Sequence, residues 1–185
     1  RVTPSVASIC WSCQIMPLKV INDSGFGYDS DIAAAINYSV SNGAKVINMS
    51  LGGAGYSQIL QDAITNAFAA DVLVVSAAGN DSASASDSYP GGSSSSLSVG
   101  STNYQDLVPT YSNTGGKLDI VAPGDYILST YLQVNGCIGL SLYVCSSGTS
   151  MAAPHVSGLA ALLFDLHKDD VTAWTAKDVR RAIIK

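Results

Sequence analysis

One strand that is apolar on both faces restricts the fold more than any other feature of the chain. Residues 72–76 read VLVVS, a run of mostly β-branched side chains without polar alternation. A strand of this composition is typically buried on both faces, as in parallel sheets that carry helices on each side. Shorter apolar runs at residues 14–20, 45–51, 97–100 and 118–121 predict further strands. The sequence therefore predicts a mostly parallel sheet.

Helical patterns alternate with these strands. Residues 30–40 place apolar side chains on one helical face and end at an Asn-Gly pair, a common helix stop. One helix follows Ser57, a long apolar helix follows Ser150, and a last helix starts at Thr175, which has an aspartate three places on, close to a capping box. Residues 81–96 are serine-rich without periodicity and predict a surface loop. This alternation is typical of the α/β class, with helices flanking the sheet.

Composition limits the size of the core and the kinds of partner. The 185 residues are 47% hydrophobic and 12% charged, which suits one core belonging to a domain or to a large piece of one. All 14 acidic residues are aspartates and the formal charge is −5, so no basic patch predicts nucleic-acid binding. The longest apolar runs, residues 67–78 and 159–164, are shorter than the roughly 20 residues that a membrane span needs. We therefore expect neither nucleic acid nor a membrane as a partner.

Ser150 lies in the stretch SSGTSMAAPHVSG, between a small polar turn and the long apolar helix. A serine hydroxyl is a weak nucleophile at neutral pH and needs a general base within hydrogen-bonding reach. The two histidines of the chain, His155 and His167, are on the same helix, and His155 is about 140° around it from Ser150 at 100° per residue. Neither histidine is well placed as the base. A helix-capping serine is the alternative interpretation.

Four sequence blocks give this serine a context. GTSMAAPHVSG, together with VINMSLGG (residues 46–53), VVSAAGN (residues 74–80) and LDIVAPG (residues 118–124), resembles the subtilisin-like serine proteases in order and approximate spacing. The resemblance extends from about residue 14 to the last helix. It implies that Ser150 is the nucleophile at the start of a buried helix and that Asn80 is the second donor to the oxyanion. A side-chain amide suits that role because it donates hydrogens without carrying a charge.

The same resemblance implies where a substrate binds. Two segments would hold an extended peptide between them, through main-chain hydrogen bonds that ignore side-chain identity: Gly25, Phe26 and Gly27 on one side, Ser50, Leu51 and Gly52 on the other. Small uncharged residues would wall the first specificity pocket, with Tyr89 and Pro90 near its floor: Gly53, Ala77, Ala78 and Gly79. We expect a broad preference for apolar or aromatic side chains before the cleaved bond. Asp81 would either admit basic side chains or be a solvated loop residue.

The chain departs from the family in one respect. Subtilisin-like enzymes carry Asp, His and Ser in that order, and the family's Asp and His motifs precede the region that residues 14–20 match. Neither motif occurs here. The resemblance thus implies that residues 1–185 form a partial subtilisin-like peptidase domain, without its N-terminal part, and that the isolated chain is inactive. Three explanations stay open: a sequence fragment, a processed chain that pairs with a separate N-terminal piece, or a catalytically dead relative that keeps a peptide-binding cleft.

The missing segment also has consequences for the sheet. In subtilisin-like folds, the strand that matches residues 14–20 lies between two strands of the upstream segment. Unpaired N–H and C=O groups at an apolar edge recruit any strand within reach. We therefore expect an intact parallel block of four strands from residue 45 onward. The first strand should be either detached from this block or shifted to pair directly with residues 45–51.

The four cysteines fall into two near pairs, Cys10 with Cys13 and Cys137 with Cys145. A zinc site would need all four in one place, whereas the two pairs are expected at opposite ends of the sheet. Two local disulfides in a secreted enzyme are the preferred interpretation, and free thiols are the alternative.

No cofactor is required by the chemistry that the resemblance implies. Structural calcium sites are common in the family, but the tightest one uses upstream segments, and no residue here is predicted as a metal ligand. An EF-hand loop at NDSGFGYDSD is excluded because its closing glutamate is absent from the sequence. The expected partners are an extended peptide or protein substrate and an N-terminal propeptide or the missing N-terminal segment. The expected location is extracellular.

Overall fold

The computed structural model describes residues 6–132 and 142–185. In chain order the helices are α1 (Asp29–Ser41), α2 (Gln58–Ala69), α3 (Thr149–Leu166) and α4 (Ala176–Ile183). The strands are β1 (Val46–Met49), β2 (Gly53–Ala54), β3 (Leu73–Ala77), β4 (Ser88–Tyr89), β5 (Leu97–Thr102), β6 (Ile120–Pro123), β7 (Ile127–Thr130) and β8 (Tyr143–Ser146).

The main sheet is the predicted parallel block of four strands. Its order is β1-β3-β5-β6, and every neighbouring pair is parallel. All residues of β3 and β5 are buried, as the apolar sequence of the central strand predicted. Two small antiparallel pairs, β2 with β4 and β7 with β8, lie outside this sheet.

Helices cover both faces of the sheet. Leu73, Val75 and Ala77 of β3 pack with α3 and α4, whereas Val74 packs with α1 and α2. This alternation is the period of two expected of a strand buried on both faces. The result is a three-layer α/β architecture, and the predicted fold class is confirmed.

The helix ends follow the sequence signals. After α1, Gly43 has φ +82°, a conformation that suits glycine at a helix stop. The capping box of α4 is complete, because the Thr175 side chain accepts from the Asp178 N–H and the Asp178 carboxylate accepts from the Thr175 N–H. Ser57 occupies the N-cap position of α2 without a side-chain capping bond.

The predicted strand at residues 14–20 is wrong. The segment contains no strand, and it pairs with no other part of the described chain. A strand requires a neighbour for its backbone N–H and C=O groups, and here the segment meets none. It therefore took the detached alternative rather than the shift to β1. Only Val20 at its end packs against the core, beside α1 and α2.

The prediction of a surface loop at residues 81–96 is wrong in part. A 3₁₀ turn at Ala85–Asp87 leads into β4, which pairs antiparallel with β2, and Pro90 is fully buried. Serines tolerate burial here because their hydroxyls find protein partners. Ser96 Oγ donates to Pro90 O (3.1 Å), and Ser93 Oγ donates to Gln61 Oε1 (3.0 Å).

The first cysteine pair is bonded as predicted. Cys10 and Cys13 form a disulfide with a Cα–Cα distance of 5.4 Å. Cys137 lies outside the described residues, so its pairing with Cys145 stays a prediction. In the parts of the chain that the structure describes, none of the helices has the length and apolar character needed to cross a membrane.

Candidate active site

Two chain turns bring Asn80 and Ser150 to one end of the sheet. Asn80 follows β3 through Gly79, whose φ of +104° favours glycine. A Cβ on Gly79 would clash with the Asn113 side chain, so a larger residue has no room. Ser150 is the second residue of α3, and Gly148 with φ +152° precedes that helix. Both side chains therefore depend on backbone turns that a glycine makes.

Asn80 caps α3 from a distance. Its Oδ1 accepts from Thr149 N (2.8 Å) and from Thr149 Oγ1 (3.0 Å), and these residues are 69 positions apart. The first N–H groups of a helix lack intrahelical partners, so this contact satisfies one of them. The Oδ1 atom is thus occupied by the helix, whereas Nδ2 is the other polar atom of this side chain. Within the described residues that amide nitrogen donates no hydrogen bond.

The backbone N–H of Ser150 is the second unused donor. It belongs to the first turn of α3 and has no acceptor among residues 6–132 and 142–185. Ser150 Oγ donates to Ser50 O at 3.4 Å, and Ser50 Oγ donates to Ser150 O at 2.8 Å. A hydroxyl and two free N–H donors thus occur together where β1, β3 and α3 end or begin.

These groups line a cleft of about 480 Å³. Three of the four residues predicted to wall the pocket line it: Gly53, Ala77 and Gly79. Leu51 and Gly52 of the predicted peptide-binding segment line it as well, together with both predicted catalytic residues, Asn80 and Ser150. Such a cleft can place the carbonyl carbon of a substrate next to the serine oxygen. The two N–H donors can then stabilise the negative charge that develops on the carbonyl oxygen.

Comparison with known proteins agrees with this geometry. The family model described as the subtilase family matches residues 2–185. The chain belongs to the subtilase family. It is 37% identical over 164 residues to subtilisin DY of Bacillus licheniformis, covering 87% of this chain and 57% of the relative. It is 38% identical over 158 residues to thermitase of Thermoactinomyces vulgaris, covering 85% and 54%.

Solved subtilase structures have the same fold. A cold adapted subtilisin-like serine proteinase aligns with a TM-score of 0.75 and 34% identity, covering 88% of this chain and 56% of its own. A protease from Pseudoalteromonas arctica PAMC 21717 aligns with a TM-score of 0.85 and 33% identity, covering 96% and 57%. The subtilase chain described here spans about half the length of the relatives it matches.

Some predicted site residues lie elsewhere in this subtilase. Gly25, Phe26 and Gly27 do not line the cleft. Gly25 and Phe26 belong to a turn in which Asn22 Oδ1 accepts from the N–H groups of residues 24 and 26, and Gly27 follows this turn. Phe26 is 75% exposed. The binding role of these three residues stays a prediction.

The other displaced residues border the cleft. Ser50 contacts Ser150 without lining the cleft, and Ala78 is fully buried behind it. Tyr89 and Pro90, predicted near the floor, are not in its wall, and Tyr89 lines a neighbouring cavity instead.

Neither histidine of this subtilase contacts Ser150. His155 Nδ1 is 2.8 Å from Met151 O in the preceding helical turn. His167 stacks on Trp174 with ring centroids 3.6 Å apart, and its Nδ1 is 2.8 Å from Asp170 Oδ2. In the described part of the chain, the only hydrogen bond of the Ser150 hydroxyl is with Ser50 O. No histidine or carboxylate among the described residues is hydrogen-bonded to the Ser150 hydroxyl.

Sequence reasoning missed Asn113, which holds the loop that carries Asn80. Asn113 is fully buried, its Nδ2 donates to Ala78 O (3.0 Å), and its N–H donates to Gly79 O (3.0 Å). Its Oδ1 accepts from Asp81 N and Ala83 N, both at 3.0 Å. The sequence around it, YSNTGG, is typical of an exposed turn, so no local signal indicates this role.

Proposed function

We propose that the chain carries the nucleophile and the oxyanion site of a serine endopeptidase that cleaves peptide bonds through an acyl-enzyme. Ser150 supplies the nucleophile, and the Ser150 N–H and Asn80 Nδ2 supply the two oxyanion donors. The observation that supports this proposal is the presence of both unused donors beside one serine hydroxyl. Membership of the subtilase family supports it independently.

The chemistry proceeds in two steps in this proposal. Ser150 Oγ bonds to the substrate carbonyl carbon, and the charge on the carbonyl oxygen is stabilised by the two donors. The C–N bond then breaks, and the amine leaves with a proton. Water attacks the resulting ester, which releases the acid and restores the serine. The proton of Oγ needs a base, and none is in reach among the described residues, so we propose that this chain alone reacts slowly.

The proposed substrate is an extended peptide or protein segment, held by main-chain contacts along residues 50–52 and 25–27. Further proposed partners are an N-terminal propeptide or a separate N-terminal segment that supplies the base and the acid orienting it. We also propose that the protein is secreted. Minor extracellular protease Epr of Bacillus subtilis, 32% identical over 97% of this chain and 27% of the relative, supports that location. The disulfide between Cys10 and Cys13 suits an oxidising compartment.

Peptide hydrolysis by the 185-residue chain and by Asn80→Leu tests the proposal. We expect the unaltered chain to retain about 10³–10⁴-fold acceleration over water, which is the rate enhancement that remains when a triad is incomplete. In a domain completed by the N-terminal segment that supplies the base, Asn80→Leu should lower kcat by about 10²–10³ with little change in KM, because the donor acts on charge that develops in the transition state. Product formation is followed by mass spectrometry. Asn66→Leu, an exposed amide on α2, is the matched control.

Two outcomes would contradict the proposal in different ways. If Asn80→Leu changed only KM, the cleft would be a peptide-binding site without chemistry. If a fluorophosphonate probe labelled Ser150 as fast as it labels the nucleophile of thermitase, a base would be present that the described residues do not show. Ser150→Ala establishes that the labelling is specific to this serine.

A further inference from the structure

The N-terminal segment, residues 6–20, carries a disulfide that does not join distant parts of the chain. Cys10 and Cys13 are three positions apart. In the chain-entropy account, a disulfide stabilises a fold less when the loop that it closes is shorter. Both cysteines are half-buried, and every other residue from 6 to 19 is exposed. The bond therefore fixes a local turn at the surface, where a reductant reaches it.

The segment has few other attachments. Residues 6–18 form no hydrogen bond with any described residue outside that range. Inside it, Ser8 Oγ donates to Cys10 O at 3.2 Å, and Trp11 Nε1 donates to Ser8 O. These two hydrogen bonds and the disulfide restrain the turn on both sides of Ile9.

Ile9 packs on α3 at Gly158. A Cβ on Gly158 would lie 3.0 Å from Ile9 Cβ and 3.1 Å from Ile9 Cγ2. Ile9 thus takes the space that a side chain at position 158 would need. Its side chain is 42% exposed, so about half of its surface is covered. This contact joins the disulfide turn to the helix that carries Ser150.

We propose that the Cys10–Cys13 disulfide is a site of thiol–disulfide exchange with a dithiol reductant, and that its redox state controls the docking of Ile9 on Gly158. A thiolate of the reductant attacks one sulfur of the bond, a mixed disulfide forms, and the other cysteine leaves and takes up a proton. The second thiol of the reductant then displaces the first cysteine. Two electrons and two protons pass to the protein, and the reductant becomes a disulfide.

The pair is suited to be the substrate of this exchange rather than its catalyst. Reactive Cys-x-x-Cys pairs gain from a helix N-terminus, whereas residues 6–28 contain no helix. Exposed disulfides are opened more readily than buried structural ones. The bond therefore persists in an oxidising compartment and opens where a dithiol is supplied. No step of the exchange involves the Ser150 hydroxyl, so it is independent of the proposed function.

The rate of reduction tests whether a dithiol reaches the bond in the folded chain. The 185-residue chain is incubated with dithiothreitol and quenched with iodoacetamide, and alkylation of Cys10 and Cys13 is quantified by mass spectrometry. The same measurement in concentrated urea gives the rate for the unfolded chain. We expect the two rates to agree within about tenfold. A bond that reacts only after global unfolding would be reduced about 10³-fold or more slowly. Any difference beyond tenfold would overturn the inference.

The equilibrium of reduction tests the coupling to α3. If the disulfide favours the docking of Ile9, docking favours the disulfide by the same factor. Ile9→Ala removes the docked side chain, and Gly158→Ala fills its place on the helix. Each variant should raise the equilibrium constant for reduction by dithiothreitol about three- to tenfold, the loss expected from half of an isoleucine side chain. Gly116→Ala, where an added Cβ meets no atom within 4 Å, is the matched control and should leave it unchanged.

Two results would reject the coupling. An equilibrium constant for Ile9→Ala equal to that of the unaltered chain would show that docking does not depend on the bond, and this result holds even if Gly158→Ala does not fold. A shift of the same size in Gly116→Ala would assign the effect to a general change in the fold rather than to the contact between Ile9 and Gly158.

Discussion

Tyr89 gives the molecule a response to alkaline pH. Its side chain is 8% exposed, and its hydroxyl donates to Gln61 Oε1 at 2.8 Å. Burial raises the pKa of Tyr89 to about 12, and the nearby Ser93 hydroxyl lowers it by a smaller amount. The unfolded chain ionises this group near pH 10, so folding stability is fully present below that pH and decreases as the pH rises toward 12.

Tyr89→Phe should therefore flatten the alkaline loss of stability. We expect the free energy of unfolding of the unaltered chain to fall by about 1–2 kcal/mol between pH 10 and 12. The variant should lose about 1 kcal/mol at pH 7, because the hydrogen bond with Gln61 is gone, but less between pH 10 and 12. Urea denaturation at each pH measures both effects. Tyr104→Phe, at a position that is 90% exposed, is the control, and an equal slope in both variants would contradict the prediction.

At the residue scale, the sequence predicts the groups that belong to local motifs. Ser150 and Asn80 are both in blocks that resemble a family, and the cleft contains both. Asn113 could not be assigned, since its role arises from contacts between segments far apart in the chain. Asn113 bonds to Ala83 across 30 positions. Such a contact leaves no periodic or spacing signal in the residues around it.

At the scale of elements, β3 and β5 carry two buried hydroxyls without hydrogen bonds. Ser76 and Ser98 are opposite each other in the register of these strands, and neither Oγ has a partner in the described part of the chain. Ser96, just before β5, is equally buried, but its Oγ donates to Pro90 O at 3.1 Å and to Ser93 O at 3.3 Å. Three buried serines thus differ in whether a hydrogen bond offsets the desolvation cost of the hydroxyl.

Ser98→Ala and Ser96→Ala should act in opposite directions. Removal of an unsatisfied buried hydroxyl should raise the free energy of unfolding by about 1 kcal/mol, because its desolvation cost is no longer incurred. Ser96→Ala should lower the same quantity by about 1–2 kcal/mol, because it leaves the Pro90 carbonyl without its donor. Urea denaturation measures both. Equal destabilisation by the two substitutions would indicate that Ser98 has a partner.

Elements with a strong local pattern were predicted well. The bounds of β3 (Leu73–Ala77) agree closely with the predicted run at residues 72–76, because a strand buried on both faces must be apolar throughout. The strand at residues 14–20 failed because an extended segment is a strand only if another strand pairs with it. The pairs β2–β4 and β7–β8 were missed, since strands of two to four residues are too short for periodicity to be read.

At the scale of the whole molecule, one arginine adds an ion pair to the apolar packing that holds α4 on the sheet. Arg180 Nη2 donates to Asp119 Oδ1 and Nη1 donates to Ser94 O, both at 3.0 Å. The second carboxylate oxygen of Asp119 accepts from Ser98 N at 2.8 Å. The side chains of this ion pair are only 21% and 20% exposed. The pair therefore connects the last helix with the segments that enter β5 and β6.

Arg180→Met should weaken the whole fold rather than α4 alone. The apolar stem is kept, but the carboxylate of Asp119 loses its counter-charge while partly buried, which should cost about 2 kcal/mol of unfolding free energy. The unfolding transition should shift as a unit when followed by circular dichroism and by tryptophan fluorescence. Arg181→Met makes the same charge change at an exposed position and should alter stability little. Similar losses in both variants would show that the ion pair is not the cause.

The proposed oxyanion site depends on a contact between distant parts of the chain, the capping of α3 by Asn80. Thr149 and Asn80 are 69 positions apart, and the strands from β4 to β8 lie between them in the chain. Closing so long a loop costs more conformational entropy than forming a local contact, so we expect this contact to form after the helices and turns. A nascent or partly unfolded chain therefore presents the serine without its pair of donors. A ligand that requires both donors would bind only fully folded molecules, and could serve as a conformation-selective reporter of correct folding.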